Sequence, residues 1–148
     1  MLAVEFMEAF VLAAISLILQ IAILVLLFGS MGLKRRKKFR QHGITMLLAV
    51  VLHTTTILLV MIPSFIGFIP YFSTNISDTI SIIAIIHGIM GILAEVFGVW
   101  IVTSWRLQKS LQHCAPRKKL MRVTLILWLT ALFLGVLLYM RLYLTILP

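Results

Sequence analysis

The 148-residue chain reads as all-α: an integral membrane, up-down four-helix bundle forming one domain over residues 1–148. Two compositional facts carry this: 62% of the residues are hydrophobic and only 11% are charged, with a mean hydropathy of +1.15. The third observation is a set of four apolar runs, each long enough to cross a bilayer at about 20 residues per span. A soluble domain of this size could not bury so much apolar surface. The net charge of +9 does not point to nucleic acid, because six cations fall in residues 34–40, six in 106–122, and only Arg141 remains. Two such clusters mark topology. The single cysteine, Cys114, excludes an intramolecular disulfide.

The first span is expected at about 9–33. The preceding residues carry Glu5 and Glu8 and lack the positive charge of a secretory signal, so this run should be retained. Span two, about 42–62, follows the basic stretch KRRKKFR, and Pro63 is expected to end it. The stretch PSFIGFIPYFSTNISD then reads as an interfacial connection with aromatic anchors. Asp78 is the expected N-cap of span three, about 79–105. Span four covers about 121–144. Both basic loops fall on one side, so the positive-inside rule places them in the cytoplasm and both termini outside; the expected location is a prokaryotic plasma membrane.

Ionisable groups inside spans are costly and mark function. His42 and His53 are 53 − 42 = 11 residues apart, so on one helix they leave the same face ~16 Å apart. His53 lies 10 residues before Pro63 and His87 lies 9 after Asp78, which sets both about 14–15 Å below the same surface. Two imidazoles at one depth on neighbouring helices are the arrangement that holds haem iron from both faces, each ring oriented through its second nitrogen. Thr54, Thr55 and Thr56 could supply such contacts. Gly91, Ala94 and Gly98, on the side of span three that carries His87, leave room for a macrocycle. The same small residues also serve close helix packing. His53 and His87 are therefore the expected ligands of one haem b, and His42 with His113, both read as surface residues, could hold a second. No C-x-x-C-H is present for covalent attachment.

Glu95 lies two turns from His87 and ~80° round the helix, so it should face a neighbouring helix, as a proton relay or quinone contact. Arg141 could pair with a haem propionate or snorkel to the surface between Tyr139 and Tyr143. Metalloprotease, hydrolase and P-loop signatures are absent from the sequence.

Three stretches resemble a family of small four-span membrane proteins, domain of unknown function 420: KKFRQHGITMLLAVVL (37–52), the His87 entry into span three, and RKKLMRVTLILWLTALFLGVLLYMRLY (117–143). They cover about half the chain. In place of the family's histidine at the basic start of span four, this sequence has Pro116-Arg117, with His113 earlier. His42 and His87 match best, and His53 rests on helix geometry alone. The resemblance implies a respiratory-membrane protein serving assembly of haem-copper cytochrome oxidase, without independent enzymatic activity. Two further readings stand beside it: a cofactor-free accessory subunit of a respiratory complex, and a haem-dependent quinol oxidoreductase using Glu95.

Overall fold

The computed structural model describes residues 2–105 and 118–144, with side chains over 10–104 and 118–143. Helix α1 spans Leu2–Arg35 and α2 spans Phe39–Thr56. A π turn over Ile57–Met61 joins α2 directly to α3, Ile62–Thr74. Helix α4 covers Thr79–Trp105, and α5, Lys118–Tyr139, runs into a second π turn at Met140–Leu144. Four continuous helices, Phe10–Arg35, Phe39–Thr74, Thr79–Ser104 and Lys118–Tyr143, are long and apolar enough to cross a membrane. The expected all-α four-span bundle is observed, and no strand occurs among the described residues.

The α1–α2 connection is only three residues long because it closes as a Schellman turn. The Lys38 N–H donates to the Leu33 carbonyl (3.0 Å) and the Lys37 N–H to the Lys34 carbonyl (3.0 Å). That geometry puts Lys37 at φ 59°, a left-handed position that glycine occupies without steric cost. Lys37→Gly is therefore expected to stabilise the protein by about 1 kcal/mol, read as a raised unfolding midpoint in detergent. An unchanged or lowered midpoint would contradict the strain.

Pro63 does not end span two, contrary to expectation. The helix continues to Thr74, and the stretch read as an interfacial loop is helical through that residue. The π turn explains how. The Ile62 N–H bonds to the Ile57 carbonyl, a five-residue step, and Pro63 then falls at the start of α3, where a missing N–H costs little. A π turn beside a proline also redirects a helix axis. Consistently, α3 packs little on α1, α4 or α5, and Phe72 is its one buried residue. Asp78 stands at the start of α4 as expected. The Tyr71 hydroxyl donates to it at 2.6 Å, and this bond, aided by the Thr79 and Ile80 N–H groups, holds its carboxyl below the ordinary carboxylate range.

Elsewhere the packing is in pairs, α1 on α2 and α4 on α5, with a narrower seam between α2 and α4. Ile23, Leu27, Ala49, Ala94 and Trp128 form the buried core. Small side chains close the α2–α4 seam: Ala49 and Ala94 are fully buried, and a Cβ at Gly98 would stand 3.4 Å from Val50 Cγ2. Ala94, expected beside a cleft, is core instead. On the other side of His53 and Gly91 the helices part, because α3 has left the bundle. The site lies there.

Candidate functional site

His53 leaves α2 almost fully buried, at 2% exposure. Its Nδ1–H donates to Glu95 Oε2 of α4 at 2.7 Å, and the Trp128 indole of α5 lies tilted against the ring, centroids 4.5 Å apart. The Thr54 hydroxyl donates to the other Glu95 oxygen, so one carboxylate ties together two consecutive residues of α2. Glu95 does face a neighbouring helix, as its angular position required. Its partner there is His53 itself, so the carboxylate acts on a proposed ligand. All three threonines lie within bonding distance of the carbonyl four residues earlier, and Thr54 alone also reaches Glu95.

His87 is held from α5. Its Nδ1–H donates to the Ala131 carbonyl at 2.8 Å. In a helix the side chain four residues on leans over that carbonyl, and here it is Gly135, which has none. A Cβ at Gly135 would lie 3.0 Å from His87 Cε1 and 3.4 Å from Nδ1. Sequence reasoning missed this glycine, along with Trp128 and the Ala131 carbonyl. No residue pattern marks a glycine that serves a side chain on another helix.

Both imidazoles line one cavity of about 430 Å³, within the usual range for small-molecule sites. Their levels are less closely matched than expected, because Pro63 is not the end of its helix. Counted from the basic ends, His53 lies 53 − 39 = 14 residues in and His87 lies 105 − 87 = 18, or ~21 and ~27 Å. The cavity walls are largely apolar, from α3, the halves of α4 and α5 remote from the basic connections, and α1. Gly88 and Gly91 face it with no atom within 4 Å of where a Cβ would stand. Gly91 thus serves the cavity, while Ala94 and Gly98 of the same stripe serve packing. Gln20 of α1, 8% exposed, also lines the cavity, and its Nε2 has no acceptor among the described residues. Tyr139 and Tyr143, clustered with Phe10 in tilted and edge-on contacts at centroid separations of 5.4–5.9 Å, form the wall at the far end.

Arg141 sits on the π turn between these tyrosines and is exposed, beside the cavity wall and not in it. His42 is not a surface residue. The short turn presses α2 against α1, and the ring is buried with its Nδ1–H donating to the Ser30 carbonyl at 2.9 Å, the Ser30 hydroxyl 2.6 Å from the same nitrogen. His113, its expected counterpart, lies outside the described residues, as does Cys114. Among the described residues no three His, Cys, Asp or Glu side chains gather as a metal site.

Comparison with known proteins gives no match to this chain: no family model fits it, and no curated protein or solved structure is detectably similar.

The donor set fits an axially ligated haem. Histidines that bind metal regularly donate their other ring N–H to a carboxylate or a backbone carbonyl. His53 does the first and His87 the second. Each bond uses Nδ1 and leaves Nε2 for coordination. The two glycines provide a cradle that Cβ atoms would fill.

Proposed function

We propose that the protein is a b-type haem-binding protein of a prokaryotic plasma membrane, with His53 and His87 as axial ligands. The supporting observation is that both imidazoles line one apolar cavity with Nδ1 already anchored, one on Glu95 and one on Ala131. Bound there, haem supplies one-electron redox chemistry. The chain's own residues hold the rings, exclude water through apolar walls, and leave Gly88 and Gly91 open. Arg141, on the turn that carries Tyr143 of the wall, is the candidate partner for a haem propionate. The two basic connections face the cytoplasm in this reading. The family resemblance adds a role in haem-copper oxidase assembly, with haem held and not turned over.

Purified protein should give a pyridine haemochrome and a b-type reduced-minus-oxidised spectrum. His53→Ala and His87→Ala should each lower haem content at least tenfold while still inserting. A colourless wild-type protein, or full haem content in both variants, ends the reading.

A further inference from the structure

The residues that edge the cavity show where its ligand enters. On α3, Ile66 lines the cavity and is also 60% exposed; on α4, Ile92 does the same at 60%. Phe65 and Ile89 repeat the pattern beside them. A side chain that is at once cavity wall and outer surface marks an edge, and apart from Ser64 the side chains at both edges are apolar. Helices α3 and α4 make little contact with each other, because the π turn and Pro63 carry α3 away from the bundle. The opening therefore lies between two helices within the span and is bordered by aliphatic and aromatic groups. Water-borne solutes would have to cross hydrocarbon to reach it, whereas a molecule dissolved in the bilayer meets no polar barrier.

We propose that the cavity is filled laterally from the lipid phase, through the gap between α3 and α4, so that its ligand is membrane-dissolved when it binds. For haem as that ligand, the inference rests on the functional reading above. The polar groups fit this direction of approach: Gln20, His53 and His87 line the cavity from α1, α2 and α4, while the rim carries none at Ile66, Phe65, Ile89 or Ile92.

Two measurements test this, one without haem. In the first, full-length apoprotein in liposomes is mixed with haem-loaded vesicles and uptake is followed by absorbance. Ile66→Trp and Ile92→Trp, which crowd the gap, should slow uptake at least tenfold and leave the final spectrum unchanged. Ile18→Trp, on an exposed α1 position (66%) that does not line the cavity, should take up haem at the wild-type rate. Equal rates in all three would overturn lateral entry. In the second, a nitroxide is attached at Gly91→Cys in a Cys114→Ser background. Its collision rate with oxygen should be high and with a water-soluble nickel chelate low, and the Trp variants should cut the oxygen rate at least threefold. Strong nickel access, or an oxygen rate indifferent to both Trp variants, would overturn the proposal. If the wild type takes up no haem while the nitroxide result holds, the haem reading fails and the lateral opening stands.

Discussion

Gly135→Ala should displace the His87 imidazole, although the residue is on another helix and touches no charged group. The new methyl would stand 3.0 Å from His87 Cε1, tighter than nine in ten real Cβ contacts. The ring can give way only toward the cavity, away from the carbonyl that anchors it. It is pinned between α4, which carries it, and the Ala131 carbonyl that it bonds at 2.8 Å. Either the helices part or the bond is lost. Overpacking of this kind costs about 1–3 kcal/mol, and loss of the Nδ1 anchor frees the ring to rotate. We expect a lowered unfolding midpoint in detergent and haem content reduced at least tenfold. Gly91→Ala and Gly88→Ala provide the contrast, since neither new methyl meets an atom within 4 Å. Their midpoints should stay within about 0.5 kcal/mol of wild type. If all three variants behaved alike, the special role of Gly135 would be refuted.

Glu95→Leu should be the most damaging single change in the seam between α2 and α4. It leaves the His53 Nδ1–H without its acceptor and returns the Thr54 hydroxyl to the Val50 carbonyl, 2.9 Å away on its own helix. An unmade buried bond costs about 1–3 kcal/mol. Interhelical hydrogen bonds in membranes have lower net worth, averaging about 0.6 kcal/mol in double-mutant cycles. The larger figure should apply here, because the change removes one partner and strands the N–H of an imidazole that is only 2% exposed. Glu95→Gln keeps one acceptor oxygen and should lose less than half as much. A cycle combining Glu95→Leu with His53→Leu should recover part of the loss, since the second change removes one stranded donor. Strictly additive losses would mean that the 2.7 Å contact carries no coupling.

The fold was largely legible in the sequence, because bilayer thermodynamics writes it in hydropathy and charge. The start of α4 at Thr79 was legible because Asp78 precedes it. Pro63 misled for an identifiable reason. Proline ends a helix only if the chain cannot reroute its hydrogen bonds, and the five-residue step from Ile62 to Ile57 does so. No residue pattern announces that step. The two imidazoles were found by looking for ionisable groups at depth, a rule that depends on residue type alone. Their partners were not found, because the meeting of His53 with Glu95 depends on the register of two helices 42 residues apart. His42 was misplaced through the same gap. Its neighbour Ser30 is 12 residues earlier and comes alongside only because the turn between them is so short.

The uninterrupted rod from Phe39 to Thr74 has 36 residues, ~54 Å if straight, against roughly 40–45 Å for a whole bilayer with its headgroups. Such a rod must lean or protrude, and hydrophobic mismatch assigns that choice an energy of fractions of a kcal/mol per ångström. Its free half is α3, the segment least tied to its neighbours. Acyl-chain length therefore acts on this protein as a mechanical variable, and the part it moves most easily is one wall of the cavity.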